Sequence, residues 1–309
     1  MPSVNWPSES PNCEELDSLG RVLTYSLEYT ITYKCVNHCS ACNHFTHIQP
    51  KHFVSVEQFR KDVIQLSRIC HCDKFSIIGG EALLHPNLLE LLDIVKESKI
   101  GDMINITTNG QLIKTVGEEF LDKVDRIEMG IYGGKWTYET LKEMLKTLEK
   151  HNIKSCYYGF LGDWDIEIVN MARCFAERNK AKGYDWITTV NKGFHYTLNH
   201  SRANEEEAQR RFTRCLYGHV CNTIDQGYIF RCPESSFIPA LILGRYRGMD
   251  GLLIDQLTPE KLKKFFFKEI HTESCHYCCS LENYFPWHEV SLDTSKEEWL
   301  AKATEPKTI

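Results

Sequence analysis

Three cysteines lie close together near the start of the chain, at Cys35, Cys39 and Cys42. Their C-x3-C-x2-C spacing on a predicted loop lets three thiolates bind three irons of a cubane iron–sulfur cluster. The fourth iron then has no protein ligand and is open to another molecule. A structural cluster or structural zinc site has four protein ligands. The spacing therefore favours a reactive cluster, with a zinc site as the alternative.

The composition limits the kind of protein that this chain can form. It has 309 residues, 42% of them apolar and 25% charged, and a formal net charge of −6 at pH 7. These values are typical of a globular protein and give no general attraction for nucleic acid or anionic lipid. We find no apolar segment of bilayer length and no signal peptide in residues 1–16, so we expect a cytoplasmic protein with no membrane partner. In a reducing compartment, its 14 cysteines are expected to bind metal or react.

Strand and helix patterns alternate from about residue 24. Runs of apolar and β-branched residues predict strands at 24–32, 74–78, 103–107, 126–131, 153–160 and 185–190. Helical spacing predicts helices at 55–69, 87–98, 138–150 and 166–179, and a further helix that ends near residue 120. Repeated β–α units predict an α/β fold with a parallel sheet. About six units are too few for a closed eight-stranded barrel, so we expect a partial (β/α)6 barrel or an open sheet.

Two short motifs follow predicted strands. The first, Gly79-Gly80-Glu81, comes after the second strand, and the second, Thr108-Asn109-Gly110, comes after the third. In α/β folds, ligands bind at the carboxyl ends of the parallel strands. We therefore expect both motifs to lie on the same face as the cysteine loop.

Together, the three motifs resemble those of the radical S-adenosylmethionine (SAM) enzymes, and the resemblance covers residues 24–190. It implies that Cys35, Cys39 and Cys42 bind a [4Fe–4S] cluster whose open iron takes the amino and carboxylate groups of SAM. A reductant such as flavodoxin or ferredoxin would supply an electron. Reductive cleavage of SAM gives a 5′-deoxyadenosyl radical, which takes a hydrogen atom from the substrate.

The same resemblance assigns contacts to SAM. Gly79 and Gly80 would let the backbone approach the methionyl group closely. Glu81 would hold the ammonium group of SAM, and Thr108 and Asn109 would bind its ribose or carboxylate.

The adenine side departs from the family pattern. The residue before the third cysteine is usually aromatic and helps to seat adenine, but here it is Ala41. His44 or Phe45, which follow shortly after, are expected to take over that contact.

A second group of cysteines lies in the last third of the chain. Cys215, Gly227 and Cys232 have the spacing C-x11-G-x4-C, and Cys275-x2-Cys278 follows after 42 residues. This pattern resembles the SPASM domain in its shortened "twitch" form, which implies one auxiliary [4Fe–4S] cluster with four cysteine ligands. The alternative is a structural zinc site with the same ligands.

Cys221 and Cys279 are close enough in sequence to replace one of these ligands. If Cys221 is not a ligand, its thiol is a candidate hydrogen-atom donor to a carbon radical, which would make the reaction an epimerisation. The alternative is a spare ligand or a small buried side chain. Two acidic residues on predicted strands, Glu28 and Glu128, and two tyrosines, Tyr132 and Tyr157, are weaker candidates for contacts to a polar substrate.

The sequence thus predicts a radical SAM domain at 1–200, with a short extension at 1–23, and a twitch-like domain with a tail at 201–309. The expected substrate is a small polar molecule such as a carbohydrate or aminocyclitol, which would be epimerised or dehydrogenated. A ribosomally made peptide is the first alternative, although only some 23 residues precede the first strand, and peptide-modifying relatives often carry a leader-binding domain there. A zinc-binding module without catalysis is the second.

Overall fold

Six parallel strands form the centre of the largest sheet. In the computed structural model they are β1 (Val22–Thr30), β2 (Cys70–Ile78), β3 (Gly101–Thr108), β4 (Arg126–Tyr132), β5 (Lys154–Leu161) and β6 (Thr188–Thr189). They pair in sequence order, β1-β2-β3-β4-β5-β6, and each pair is parallel. The predicted α/β fold, with the six consecutive parallel strands of a partial barrel, is confirmed.

Helices connect these strands and cover one face of the sheet. They are α1 (Val56–Ser67), α2 (Leu88–Ser98), α3 (Glu118–Leu121) and α4 (Tyr138–Lys150). Leu27 and Tyr29 of β1 are fully buried in the same apolar core as Phe59 and Val63 of α1. The Tyr29 hydroxyl also donates a hydrogen bond to Asp62 of α1 at 2.6 Å. Alternate residues of β1 therefore face the helices, and the residues between them face the other side of the sheet.

The part of the chain after residue 200 extends the same sheet. The remaining elements are β7 (Gly193–His195), α5 (Glu205–Arg214), β8 (Asn222–Asp225), β9 (Tyr228–Phe230), α6 (Pro233–Leu241), β10 (Leu252–Leu253), α7 (Pro259–Phe266) and β11 (Tyr284–Pro286). Strand β8 pairs parallel with β1, and β9 and β10 follow it outward in antiparallel pairs. Gln226 and Gly227, both with positive φ, form the turn between β8 and β9. Strands β8 to β10 thus share one sheet with β1. A domain division near residue 200 stays a prediction.

The structure describes residues 16–39, 42–132, 138–151, 154–161, 188–189, 193–195, 202–215, 218, 221–267, 270–278, 284–286, 291 and 293–299. The predicted helix at 166–179, Ala41 and Cys279 lie outside these ranges. No helix within them combines the length and the apolar character needed to cross a bilayer.

Candidate functional site

The cysteine loop leaves the carboxyl end of β1. Its base is closed by a bridge between Thr32 and Phe53. Within the loop, the N–H of Cys42 donates to the carbonyl of Cys39 at 3.3 Å, and the N–H of Asn37 donates to the sulfur of Cys35 at 3.3 Å. Burial raises the pKa of the Cys35 thiol to about 12, so binding of a metal must displace its proton.

Gly79 and Gly80 pack directly against the backbone that enters this loop. The N–H of Gly80 donates to the carbonyl of Thr32 at 2.8 Å. A Cβ at Gly79 would lie 2.6 Å from the Thr32 oxygen, and one at Gly80 would lie 2.2 Å from the Lys34 oxygen. Both glycines are thus needed so that the end of β2 can hold the cysteine loop. This reason was not foreseen from the sequence, and their contact with SAM stays a prediction.

Glu81 joins the end of β2 to the end of β3. Its side chain is fully buried. Oε1 accepts hydrogen bonds from the Thr108 hydroxyl at 2.7 Å and the Leu83 N–H at 3.0 Å, while Oε2 accepts one from the Asn109 N–H at 2.8 Å. Burial raises the pKa of Glu81, and these three donors oppose that shift. The carboxylate therefore fixes the position of both motifs.

Asn109 connects the end of β3 to the cysteine loop. Its side-chain amide donates to the sulfur of Cys35 at 3.7 Å. Next to it, the amide of Gln111 donates to the side-chain oxygen of Asn37 at 2.5 Å. The structure thus brings Cys35, Glu81, Thr108 and Asn109 together at the carboxyl ends of β1 to β3.

His44 lies behind the loop and not at an open surface. Its side chain is buried, its ring centroid is 5.7 Å from that of Phe237, and Nδ1 is 2.9 Å from the side-chain oxygen of Asn43. Burial lowers the pKa of His44 to about 4, so the ring is neutral at pH 7. Phe45 is also fully buried and packs edge-on against Phe237 and Trp299. A contact from His44 to adenine stays a prediction.

The face of the sheet away from the helices carries a row of polar residues below these motifs. The row follows the strand register and consists of Thr223, Glu28, Ser76, Asn105 and Arg126. Of this row, only Glu28 was identified from the sequence. The available signal was the polar residue at every second position of β1, at Thr24, Ser26, Glu28 and Thr30.

Buried charges lie beside this row. Lys74 donates to Glu128 at 3.0 Å, and Arg126 forms an ion pair with the same carboxylate at 3.1 Å. Burial alone would lower the pKa of Lys74, but Glu128 and Glu28 outweigh it and hold that pKa above its usual range. Neither Lys74 nor Arg126 was identified from the sequence, because their partner becomes apparent only once β2 and β4 are placed. The side chains of Tyr132 and Tyr157 lie outside the described part.

Cys221 immediately precedes β8 and lies next to this charged group. Its thiol is close to the Glu28 carboxyl, and Glu28, Lys74 and Glu128 all affect its pKa. Burial raises the pKa of Glu28 to about 7, with Lys74 opposing the shift and Glu128 adding to it. The thiol and an acid that titrates near neutral pH therefore meet on the inner face of the sheet.

The four cysteines with twitch-like spacing lie near one another. Cys215 caps the end of α5, Cys232 caps the start of α6, and Cys275 and Cys278 lie in and after a short helix that spans Glu273–His276. Burial raises the pKa of Cys278, and the negative charges of Glu234 and the other three cysteines raise it further. The four thiols come from three chain segments and lie close enough to affect the pKa of Cys278, which fits a closed four-ligand metal centre.

Arg231 supports this cysteine group with a buried positive charge. Its guanidinium donates to the carbonyl of Gly218 at 3.0 and 2.9 Å and to that of Phe265 at 2.6 Å, and its charge lies close to Cys215, Cys232 and Cys275. A fixed cation suits a group of thiolates or an anionic cluster, because it offsets their mutual repulsion. No sequence motif indicated this residue.

Comparison with known proteins identifies the amino-terminal part. Residues 29–175 match the Radical SAM superfamily. The chain is 26% identical over 183 residues to the antilisterial bacteriocin subtilosin biosynthesis protein AlbA of Bacillus subtilis, which is 53% of this chain and 40% of AlbA. It is 31% identical over 126 residues to the GTP 3′,8-cyclase of Chlorobaculum tepidum, which is 39% of this chain and 36% of that enzyme. The chain thus spans two fifths or less of the length of these curated relatives.

A solved structure shows the same fold. It is that of anSMEcpe with bound AdoMet, which is 12% identical, covers 82% of both chains and has a TM-score of 0.50. Enzymes of this superfamily use a [4Fe–4S] cluster and SAM. The thiols of Cys35, Cys39 and Cys42 lie on one loop held by backbone hydrogen bonds, and they fit that cluster. Residues 29–175 of this chain therefore constitute a radical SAM superfamily domain.

Proposed function

We propose that the protein is a radical SAM enzyme in which Cys35, Cys39 and Cys42 hold the catalytic [4Fe–4S] cluster. Two features support these ligands. Hydrogen bonds of the glycine motif hold the loop against the end of β2, and the amide of Asn109 donates to the sulfur of Cys35. The bound cluster and SAM together supply a 5′-deoxyadenosyl radical, and the protein's part is to orient SAM and the substrate.

The carboxyl ends of β1 to β3 form the proposed SAM site. Glu81 Oε1 already accepts two hydrogen bonds, whereas Oε2 accepts one. A carboxylate oxygen has two lone pairs, so Oε2 keeps the capacity to accept a hydrogen bond from the ammonium group of SAM. Gly80, which is half-buried, and the buried Gly79 place their backbone next to it, and the Asn109 and Thr108 side chains mark the ribose or carboxylate side.

The polar inner face of the sheet is the proposed substrate site. The unpartnered polar atoms on this face are the observation that carries the proposed function. Ser26 Oγ, Thr30 Oγ1 and Asn105 Oδ1 are buried there, and none has a hydrogen-bond partner among the described residues. Buried polar groups are normally satisfied, because each unmade hydrogen bond costs about 1–3 kcal/mol. A substrate rich in hydroxyl or amino groups would satisfy them, which supports a carbohydrate-like or aminocyclitol-like substrate.

The position of Cys221 supports epimerisation over dehydrogenation. Hydrogen abstraction leaves a carbon radical on the substrate. Transfer of a hydrogen atom from the Cys221 thiol to the opposite face of that carbon gives the epimer and a thiyl radical. One electron from the external reductant and one proton, supplied by the neighbouring Glu28 carboxyl group, restore the thiol. The Glu28 pKa of about 7 suits such proton transfer near neutral pH.

The second cysteine group is the proposed auxiliary cluster of a twitch-like domain. Cys215, Cys232, Cys275 and Cys278 would saturate its irons, so it would pass electrons or order the pocket and would not bind substrate. Cys221 contacts Glu28 on the inner face, which supports its exclusion from this ligand set. A zinc centre with the same four ligands is the competing assignment.

A peptide substrate is the second candidate. It is supported by the match to AlbA, a bacteriocin biosynthesis protein, which is longer than the match to the cyclase. A polar residue of a ribosomally made peptide could make the same contacts with the inner face.

The deciding experiment supplies the reconstituted enzyme with SAM and dithionite in D2O, together with aminocyclitols, amino sugars or candidate peptides. We expect 5′-deoxyadenosine and an epimer that carries one solvent deuterium at the inverted carbon. Cys221→Ser should still form 5′-deoxyadenosine but release no deuterated epimer, while Cys70→Ala, in the apolar core, should behave as wild type. Deuterated epimer from Cys221→Ser, or a product two hydrogens lighter from the wild type, would refute the thiol-donor mechanism.

A further inference from the structure

Two histidines and a glutamate converge at the junction of α5 with the segment that carries Cys275. Glu205 is the first residue of α5, and His271 and His276 lie on either side of Cys275 in the sequence. Their ligand-type atoms all lie within 4.8 Å of one another. This group lies outside the inner face of the sheet and plays no part in the function proposed above.

Hydrogen bonds fix the protonated nitrogen of each ring. The side-chain oxygen of Gln209 accepts the backbone N–H of His271 at 3.2 Å and lies 3.0 Å from Nδ1 of the same residue. The carbonyl oxygen of Ala203 lies 2.8 Å from Nδ1 of His276. Because both oxygens can only accept, Nδ1 carries the proton in both rings. Nε2 is therefore the nitrogen of each ring that can present a lone pair to a metal ion.

These lone pairs face each other and a carboxylate. The two Nε2 atoms are 3.1 Å apart, and Glu205 oxygens lie 3.1 Å from that of His271 and 3.6 Å from that of His276. Three acceptors at such distances repel one another unless a metal cation, or a proton on one Nε2, lies between them. The spacing matches a tetrahedral zinc site, in which Zn–N distances of about 2.0–2.1 Å place neighbouring ligand atoms about 3.3 Å apart.

Arg202 meets only part of this demand for positive charge. Its guanidinium donates to Nε2 of His276 at 2.9 Å and to Glu205 Oε1 at 3.2 Å, and it is also held by both oxygens of Glu273. Among the described residues, Nε2 of His271 faces Glu205 and His276 and no arginine. When a metal binds, Arg202 can give up His276 and Glu205 and keep its ion pair with Glu273.

We propose that His271, His276 and Glu205 form a mononuclear site for a divalent transition-metal ion, best suited to zinc, with water as fourth ligand. Nδ1–H groups held by carbonyl oxygens are typical of metal-binding histidines, since they orient the ring and make Nε2 more basic. The ion would join α5, which ends at Cys215, to the segment with Cys275 and Cys278. The proposed site thus braces two of the three segments of the second cysteine group.

The test uses the full chain with its iron–sulfur centres reconstituted, so that cysteines are occupied, and adds Co²⁺ as a spectroscopic probe for zinc. We expect one bound equivalent with the weak visible bands of tetrahedral nitrogen and oxygen coordination. Glu205→Gln and His271→Gln should weaken binding at least about 100-fold, and Gln209→Ala about 10-fold. Zinc content after zinc loading and gel filtration should fall in parallel. His151→Gln is the control, because His151 lies 3.9 and 3.8 Å from two carboxylates without a second histidine.

The circular dichroism spectrum of each variant checks folding; Glu205 is exposed, and His271, whose side chain is 12% exposed, lies outside the apolar core. Binding that persists unchanged in both variants overturns the proposal. So does an intense thiolate-to-cobalt charge-transfer band, which would place the ion at cysteines, or a wild-type protein that binds no Co²⁺ at all. None of these results depends on radical chemistry.

Discussion

The thiol of Cys221 and the carboxyl group of Glu28 lie next to each other on the inner face of the sheet. The two residues are 193 positions apart and meet because β8 pairs with β1. Lys74 and Glu128 lie close to both. The pKa of Glu28 therefore depends on the same buried groups that surround the proposed hydrogen-atom donor.

Glu28 should make stability depend on pH. Burial raises its pKa from 4.5 to about 7, so between these values the folded protein holds a proton that the unfolded chain has released. The free energy of unfolding should then fall as pH rises through this range, by on the order of 3 kcal/mol. Glu28→Gln should remove this decrease. Urea unfolding at about pH 5 and about pH 8 measures it, and Glu90→Gln, at an exposed position, is the control. Equal pH dependence in both variants would contradict the shifted pKa.

Gly80→Ala should disrupt the cysteine loop. The new Cβ would lie 2.2 Å from the carbonyl oxygen of Lys34, and a backbone atom cannot move aside as a flexible side chain can. We expect a loss of about 1–3 kcal/mol of stability and of most iron at the first cluster. Gly117→Ala is the matched control, since nothing lies within 4 Å of that Cβ; loss of its preference as a helix cap costs about 1 kcal/mol or less. Normal iron content in Gly80→Ala would show that the loop tolerates the displacement.

The order of the elements could be predicted because it depends on local patterns. β-Branched runs and helical spacing fall within a few residues of the observed bounds of β1 to β5 and α1, α2 and α4. The start of β2 was placed too late, at residue 74 instead of Cys70. Cys70 and Cys72 are fully buried in the core. Because His71 and Asp73 alternate with them, the segment 70–73 does not read as an apolar run, and the strand was predicted to start later.

The charged part of the site could not be predicted, because it depends on pairs distant in sequence. Lys74 and Glu128 are 54 residues apart, and Arg231 is recognised as a cation beside cysteines only when Gly218 and Phe265 fix its side chain. The Gly79-Gly80-Glu81 motif could be recognised from the amino-acid sequence alone. Its close contact with the Thr32 and Lys34 carbonyls required coordinates.

Lys74→Met should be strongly destabilising. It removes the hydrogen bond and ion pair that Lys74 makes with Glu128, and it removes the cation that opposes the raised pKa of Glu28. Removal of one partner of a buried ion pair typically costs about 3–5 kcal/mol. Urea unfolding should show this loss, and Lys74→Met with Glu128→Gln should recover much of it. Lys114→Met is the control, because Lys114 and Glu143 form an exposed pair at 2.6 Å worth about 1 kcal/mol or less. A cost as small as that of Lys114→Met would mean that water reaches Lys74.

Iron content should separate the two cysteine groups. Two [4Fe–4S] clusters give about eight irons and eight sulfides per reconstituted chain. Cys39→Ala should retain about four, bound at the second group, and should cleave no SAM. Cys275→Ala should also retain about four, but with SAM cleavage preserved, because the open-iron cluster remains. Cys221→Ala should keep all eight, since its thiol lies beside Glu28 and the proposed ligands are the other four cysteines. If Cys221→Ala loses iron while Cys275→Ala does not, Cys221 is a ligand and cannot return a hydrogen atom. If the second group holds zinc, the wild type has about four irons, Cys275→Ala loses none, and the electron for the thiyl radical must arrive by another route.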